Sequence, residues 1–593
     1  MDQGVRFLDK TKKGSGKGFL KGALVLGIAS LIVKLIGAFF KIPLINLIGD
    51  DGMGYFNVAY QIYTFMFIIA TAGFPVAISK MVAESIARGN KKDADRVFTT
   101  AFMLLSIIGF VGAAILFLFN EQLAQLVNIP DAAPGIKAIA PAVFFISMAS
   151  VIRGYFQGQQ NMFPTAGSEV IEATAKMAVG LVLAYIVVNM SINPDLGSGI
   201  NLGASEVAST HERTVFASVG AIFGVTSGTI LSFLLLGTIY VCVFFSMRRL
   251  KTKVGPTVAA HEKLRPRKSI LKELILIAIP ITIGASVSSL TTLIDMGTIS
   301  RRLVINPAVF DEYGFMFREG TEFFQKSIEE GWSGTELYTQ MASTLYGMYT
   351  GKALTMFNLP LTLVVALGTS VVPAISSLMA KGNKLGARGI TESSIRIAVL
   401  FAAPCAIGMS VLSSGVLNLL FGDDNAKVVL SILAIAIIPV AIVSVTNSIL
   451  QAYGKVYYPV INMLIGGAVK VLFNYFCIPY LGIDGAPIGT GICYTIIAVL
   501  NIIGIVRVSG MRFSWLDFLI KPIAAGCIMG VVVYLTTLFM PASRLMTIIQ
   551  ICIGGAVYAV SIFIVRAVKR EDVLNLPKGE KIAELLTRFK LLK

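Results

Sequence analysis

Apolar runs of about 20 residues recur along nearly the whole chain, and this recurrence limits its fold more than any other feature. A hydrocarbon core of ~30 Å needs about 20 apolar residues in a helix, so each run is long enough to span a membrane. The runs do not alternate polar and apolar residues, which excludes a transmembrane barrel. Only 14% of the 593 residues are charged, against roughly 25% in soluble proteins. The sequence therefore predicts an all-α, polytopic membrane protein.

Fourteen membrane-spanning helices are predicted from apolar stretches bounded by charges. We place them at 22–47, 55–83, 97–119, 134–156, 165–189, 216–246, 270–298, 345–379, 391–419, 428–453, 457–479, 485–506, 518–539 and 545–568. Basic residues are concentrated in the N-terminus, the even-numbered connections and the C-terminus. Because basic loops stay inside, we expect both termini to be cytoplasmic.

The two halves of the chain resemble each other. The segment FPVAISKMVAESIARGN at 74–90 resembles VVPAISSLMAKGN at 371–383, and Pro164 recurs as Pro459 at a similar offset of about half the chain. Spans 1 to 6 and 7 to 12 thus appear duplicated, and an even number of spans gives both copies the same orientation. We predict two parallel six-helix repeats with a cavity between them, and two extra helices.

This organisation divides the chain into six segments. They are a basic cytoplasmic N-terminus at 1–21, an N-terminal six-helix lobe at 22–246, a basic cytoplasmic linker at 247–269, a C-terminal six-helix lobe at 270–506, helices 13 and 14 within 507–570, and a cytoplasmic amphipathic tail at 571–593. The C-terminal lobe includes an extracytoplasmic loop at 300–344, in which we expect short helices. The tail reads as an interfacial helix.

Metal and nucleotide chemistry is not indicated. The six cysteines form no CxxC pair and the chain has two histidines, so we expect neither a disulfide framework nor a metal site. The GSGKG stretch near residue 16 lacks the spacing of a phosphate-binding loop. We therefore expect no cofactor, with energy supplied by the membrane potential, Na⁺ or H⁺.

The main functional indication is a set of six basic residues within the predicted spans: Lys34, Lys41, Lys176, Lys352, Arg396 and Lys470. Each would cost on the order of 2.5 to 3.5 kcal/mol at the centre of a span, so we expect such side chains to face water, an anion or a partner. Ammonium groups in a water-filled cavity would attract a diphosphate. The alternative is that they snorkel to an interface or neutralise carboxylates, and Arg396 is assigned to that class.

Acidic residues accompany these cations. Glu169, Glu172 and Lys176 lie on one face of the fifth span, and the spacing predicts an i, i+4 ion pair of Glu172 with Lys176. Asp295 lies near the outer end of the seventh span. The three acids are candidates for ion or proton coupling.

Two longer stretches resemble a known family. VALGTSVVPAISSLMAKGN at 365–383, preceded by YTGKALTMFNLP, and GDDGMGYFNVAYQIYTFMFIIATAGFPVAISKMVAE at 49–84 resemble the MurJ-type lipid II flippases of the multidrug/oligosaccharidyl-lipid/polysaccharide exporter superfamily. Within it they look like the branch of stage V sporulation protein B and the YtgP-like polysaccharide biosynthesis proteins. The resemblance covers essentially the whole chain. It implies a V-shaped bundle with a cationic cavity for the diphosphate and headgroup of an undecaprenyl-linked precursor.

The resemblance also assigns residues. Basic side chains of the first, second and eighth spans are the functional set in MurJ-type proteins, and Lys34 and Lys352 match the first-span and eighth-span cations. Lys41 lies one position from the second first-span cation, and Gln61 replaces the second-span cation. With Lys176 and Lys470, these residues form the predicted substrate-binding set.

The function that follows is a flippase in the bacterial plasma membrane, moving lipid II from the inner to the outer leaflet by alternating access for peptidoglycan synthesis. Alternatives are transport of another lipid-linked oligosaccharide, a cation-coupled drug exporter, a membrane-embedded glycosyltransferase and a non-transporting scaffold. The number of cations inside the spans opposes a carrier of cationic drugs, and paired catalytic carboxylates are lacking. We expect a secondary transporter rather than an enzyme, a monomer with cell-wall synthesis enzymes as candidate partners, and no nucleic-acid partner.

Overall fold

The computed structural model describes residues 2–190, 210–253, 264–511, 514–541 and 543–568. Within these ranges nearly every residue is helical and no strand is present, so the all-α prediction is confirmed. The α-helices, in chain order from α1 to α19, are Asp2–Thr71, Phe74–Ala87, Lys91–Leu118, Asn120–Leu126, Ala133–Gly158, Phe163–Met190, Thr210–Lys253, Arg267–Leu303, Glu322–Glu329, Gly334–Met348, Leu354–Ala380, Lys384–Val411, Ser413–Leu420, Lys427–Ile435, Ile437–Ala452, Tyr457–Leu481, Gly485–Ser509, Lys521–Phe539 and Arg544–Ile564.

Nine helical segments of the described chain are long and apolar enough to cross a membrane, or ten if one bent pair counts as a single span. Two of these segments, Val25–Ala87 and Tyr457–Ser509, have 63 and 53 residues. A single span needs roughly 17 to 25 residues, so each of the two is long enough for two crossings. The structure therefore shows a multi-pass membrane protein, and the number fourteen stays a prediction.

Several helices are interrupted where the backbone or the sequence requires it. Gly49 at φ 72° bends α1 in the left-handed region that glycine tolerates. The chain breaks again at 72–73, and α2 begins at Phe74 with Pro75 in its first turn, where the missing amide hydrogen of proline is tolerated. Helices α14 and α15 meet at 42°, and π-helical turns occupy Tyr349–Ala353 and Leu516–Ile520.

The loop at 300–344, which the sequence predicts to be extracytoplasmic, contains short helices, as expected. A 3₁₀ segment at Pro307–Met316 is followed by α9 and then by α10, which leads through the π-helical turn Tyr349–Ala353 into α11. The predicted amphipathic tail at 571–593 lies outside the described residues.

The chain divides into two compact units, Met1–Gly297 and Thr298–Lys593. In the first unit, apolar residues of α2, α3, α5 and α8 form one core that includes Ile78, Leu105, Tyr155 and Leu274. In the second unit, α12, α15 and α17 share a core around Val399 and Ile497.

Each unit contains the same local turn at the recurring Gly-Asn pair. Gly89 and Gly382 have φ angles of 75° and 73°, a conformation in which a side chain would be strained. The following Asn90 and Asn383 cap the next helix, because each side-chain oxygen accepts a hydrogen bond from a backbone N–H three residues later, at 3.0 and 2.9 Å. The repeated sequence thus forms the same turn in both halves.

Candidate anion-binding cavity

Close packing of α6 on α7 positions the polar residues of the first unit. Gly220, Gly224 and Gly228 follow each other at intervals of four residues on α7. A methyl group on Gly228 would lie 2.6 Å from the carbonyl oxygen of Glu172, and one on Gly224 would lie 2.7 Å from that of Lys176. Small residues at such spacing allow membrane helices to approach closely, so this face of α7 fixes the backbone that carries both charged side chains.

A cavity of about 310 Å³ lies in the first unit, bounded by α1, α5, α6 and α7. This volume is at the lower end of the range of roughly 300 to 1,000 Å³ typical of ligand pockets. Five ionisable side chains line it, three basic and two acidic: Lys34, Arg153, Lys176, Glu169 and Glu172. The lining thus has a formal net charge of +1, and the remaining wall includes Tyr60, Tyr63, Thr64, Phe67 and Val225.

Arg153 connects three helices at the wall of the cavity. Its side chain is 8% exposed, and Nη2 lies 2.8 Å from Oε2 of Glu172, whose side chain is 20% exposed. The guanidinium also donates to the Ser232 hydroxyl at 2.9 Å from Nη2 and to the Ser168 hydroxyl at 3.1 Å from Nε. A buried ion is stable only where it is paired and hydrogen-bonded, and Arg153 meets this requirement through groups of α6 and α7.

Lys176 lies beside aromatic rings rather than beside a carboxylate. Its ammonium group lies 5.0 Å from the centre of the Tyr60 ring and 5.7 Å from that of Phe40, within the range of cation–π attraction. It also lies 3.4 Å from the Tyr60 hydroxyl. The predicted i, i+4 ion pair of Lys176 with Glu172 is wrong, because Glu172 pairs with Arg153 instead.

Lys34 and Glu169 line the cavity without a direct hydrogen-bond or ion-pair partner among the described residues. Neither side chain forms a hydrogen bond or an ion pair with any residue that the structure describes. Lys34 extends from α1 and Glu169 from α6, so each faces the cavity from a different helix. A ligand anion would therefore find two ammonium groups, those of Lys34 and Lys176, whose charge no carboxylate neutralises by direct contact.

The other predicted site residues lie elsewhere. In the first unit, Lys41 is half-buried, with Nζ 3.3 Å from Oδ1 of Asn57. Gln61 is half-buried outside the cavity lining, and Asp295 is buried in α8.

Lys352 and Lys470 belong to the second unit. Lys352 is ion-paired with Asp423 at 2.8 Å, and Lys470 is buried in α16. Their assignment to substrate binding stays a prediction.

Arg153 is the residue of this cavity that sequence reasoning missed. It lies near the end of the predicted fourth span, and a basic residue within a span is by itself a functional indication. The four-residue spacing of glycines on α7 is a second signal of the site, because it marks the helix against which the charged face of α6 packs.

Two family models match the chain. Residues 19–193 match the model for polysaccharide biosynthesis proteins, and residues 339–553 match the model for lipid II flippase MurJ. The first match includes the helices that supply Lys34, Arg153, Glu169, Glu172 and Lys176 to the cavity.

Curated relatives extend the similarity over nearly the full length. The chain is 22% identical to stage V sporulation protein B of Bacillus subtilis (strain 168), covering 94% of this chain and 98% of that protein. It is 23% identical to lipid II flippase MurJ of the same organism, covering 91% of this chain and 94% of that protein.

Solved structures show the same fold. A structure of lipid II flippase MurJ in an inward closed conformation has a TM-score of 0.60 at 16% identity, covering 91% of this chain and 98% of that one. An inward-facing transporter of the multidrug resistance MATE family has a TM-score of 0.57 at 14% identity, covering 82% and 98%. The fold is therefore that of the MurJ and MATE transporters. The resemblance to MurJ-type flippases and to the branch of stage V sporulation protein B is confirmed. Among the proteins named here, MurJ is described as a flippase and the MATE protein as a transporter.

Proposed function

We propose that this protein is a flippase that moves an undecaprenyl-diphosphate-linked cell-wall precursor, lipid II, from the inner to the outer leaflet. The observation that carries the proposal is the cavity of the first unit, in which Lys34 has no partner among the described residues and Arg153 and Lys176 lie on the same wall. The matches to MurJ support lipid II as the cargo.

The chemistry of the cavity suits a diphosphate. Ammonium groups bind phosphate oxygens as point charges, and a guanidinium offers a planar set of donors. Within a membrane protein these charges are costly unless an anion or water compensates them. A cavity of about 310 Å³ has room for a charged group of the lipid, and the protein would carry that group past the hydrocarbon core by alternating access.

Energy for transport would come from the membrane potential or from an ion gradient. One elementary charge crossing 100 mV is worth about 2.3 kcal/mol, so the potential can bias a charged carrier. Glu169 lines the cavity, forms no hydrogen bond or ion pair with a described residue and is our candidate for H⁺ or Na⁺ coupling.

The test is the leaflet accessibility of labelled lipid II in proteoliposomes that contain the purified protein, with and without an imposed potential. We expect the wild type to move lipid II and Lys34→Ala to lose at least tenfold in initial rate. Lys137→Ala is the matched control, because Lys137 is a lysine of α5 in the same unit that lies outside the cavity lining. Equal rates for Lys34→Ala and wild type at equal abundance would contradict the proposal.

A second candidate cargo is another lipid-linked oligosaccharide, favoured by the match of residues 19–193 to polysaccharide biosynthesis proteins. The same cationic wall would hold its diphosphate. Lipid II and an undecaprenyl diphosphate oligosaccharide without the peptide, assayed side by side, distinguish the two. Preference for the second lipid would assign the protein to polysaccharide export.

A further inference from the structure

The Arg153–Glu172 ion pair in the cavity has a consequence for how a diphosphate can bind there. Arg153 Nη2 lies 2.8 Å from a carboxylate oxygen of Glu172, and both residues line the cavity. Resting on the proposed function, we propose that Glu172 takes up a proton when the diphosphate binds at Arg153, so that ligand binding and protonation are linked at this residue.

The argument begins with the donors of Arg153. Nη2 is engaged by Glu172 and Ser232, and Nε by Ser168. Nη1 forms no hydrogen bond with any residue that the structure describes. A phosphate oxygen approaching from the cavity can therefore use the N–H groups of Nη1 without first displacing another group.

Charge is the second step. Once a phosphate oxygen binds the guanidinium, the single positive charge of Arg153 is shared by two anions, the phosphate and the Glu172 carboxylate. Glu172 is 20% exposed, and a carboxylate removed from water requires a compensating charge. Transfer of a proton from water to the Glu172 carboxylate removes one of the two negative charges and leaves the full charge of Arg153 to the ligand.

The surroundings favour Glu172 as the group that responds. Glu169 precedes it by three residues on α6 and adds a like charge. The Lys176 ammonium is engaged with the Tyr60 ring and hydroxyl. Four helices line the cavity around Glu172. Helix α5 contributes Arg153, α1 contributes Lys34, Tyr60 and Tyr63, α6 contributes Glu169 and Lys176, and α7 contributes Val225. The hydroxyl of Ser232, also on α7, is bound to Arg153.

The experiment measures protons taken up on binding by calorimetry of the purified full-length protein in detergent. The probe is farnesyl diphosphate, with farnesol as the control that lacks the diphosphate, in two buffers of different ionisation enthalpy between pH 6 and pH 8. We expect the wild type to take up about one more proton per bound diphosphate than Glu172→Gln. The wild-type affinity should also fall more steeply with pH than that of the variant, by as much as tenfold per pH unit. Protonation of the probe itself cancels in this difference.

Glu169→Gln is the matched control, because it removes the neighbouring carboxylate on the same helix and leaves the pair with Arg153 intact. The Glu169→Gln variant should take up the same additional proton as the wild type when the diphosphate binds. Equal proton uptake by wild type and Glu172→Gln would overturn the inference and leave the proposed function standing if binding persists. A wild type that binds the diphosphate no better than farnesol would overturn the proposed function and this inference together.

Infrared difference spectra provide a second measurement that needs no variant. Addition of farnesyl diphosphate to the wild type should produce the carbonyl band of a protonated carboxyl group, and farnesol should not. Binding without that band would overturn the inference even if Glu172→Gln did not fold.

Discussion

Lys352 reaches both carboxylate oxygens of Asp423, with Nζ 3.0 Å from Oδ1 and 2.8 Å from Oδ2. The lysine side chain is 5% exposed and that of Asp423 is 37% exposed. Lys352 lies in the π-helical turn Tyr349–Ala353, and such turns occur frequently at functional sites. Lys352 is the residue that the resemblance identifies as the eighth-span cation. It is thus ion-paired with a residue of the connection between α13 and α14.

This pair predicts which variants of Lys352 lose stability. Lys352→Ala and Asp423→Asn should each lower the free energy of unfolding by about 1 to 3 kcal/mol, between the values for exposed and buried ion pairs. The double variant should lose less than the sum of the two. Thermal unfolding in detergent measures all three. If Lys352 binds the headgroup directly, Lys352→Ala should abolish transport while Asp423→Asn retains it.

The packing of α6 on α7 predicts a position that does not tolerate a methyl group. Gly224→Ala would place its methyl carbon 2.7 Å from the carbonyl oxygen of Lys176, so the helices must separate and we expect a loss of at least about 1 kcal/mol. Gly167→Ala on α6 is the control, because no atom lies within 4 Å of its added methyl group. It should be neutral or slightly stabilising. Equal melting temperatures for the two variants would contradict the packing described here.

The ion pair of Arg153 with Glu172 predicts that removal of one charge destabilises the protein more than removal of both. Arg153→Ala leaves Glu172 in the cavity wall without its cation, and loss of one member of a buried pair costs roughly 3 to 5 kcal/mol. The double variant Arg153→Met/Glu172→Gln removes both charges and should regain much of that stability. The stability of the two variants is measured by monitoring unfolding as the loss of the monodisperse peak on size-exclusion chromatography. A double variant less stable than Arg153→Ala would show that the ion pair is not the cause.

A carboxyl group in the second unit predicts a dependence of stability on pH. Asp484 lies in the 3₁₀ turn Gly482–Asp484, which connects α16 to α17, and accepts a hydrogen bond of 2.8 Å from the Tyr313 hydroxyl. Burial raises the pKa of Asp484 to about 6, opposed by the hydrogen bond from Tyr313 and reinforced by the charge of Glu312. The folded protein therefore holds this proton more tightly than the unfolded chain does.

The sign of the effect follows from that difference. The stabilisation is complete below the ordinary carboxyl pKa of about 4 and is lost as the pH rises through about 6. Relative to Asp484→Asn, the wild type should lose at most about 3 kcal/mol between pH 4 and pH 7. Glu319→Gln, at an exposed acid of the loop that carries Tyr313, is the control and should follow the wild type. A difference between wild type and Asp484→Asn that is independent of pH would contradict the prediction.

The sequence predicts which charged residues line the cavity more completely than it predicts which of them form ion pairs. Lys34, Lys176, Glu169 and Glu172 were all selected from their position in apolar spans, and the structure places all four on one cavity. Lys41, Gln61 and Asp295 lie outside the lining of that cavity. The partner of Glu172 could not be found from helical spacing, because Arg153 comes from another helix.

The sequence by itself determined that the chain is helical and crosses a membrane repeatedly, because apolar runs of about 20 residues without charges have no other stable environment. It also determined the recurring Gly-Asn turns, since a positive φ and a helix cap depend on adjacent residues. The tertiary structure decided which charges meet. Whether Glu172 pairs with Lys176 four residues away or with Arg153 nineteen residues away depends on how closely α5, α6 and α7 pack. Glycines on α7 allow α6 to approach it closely, and they act across space rather than along the chain.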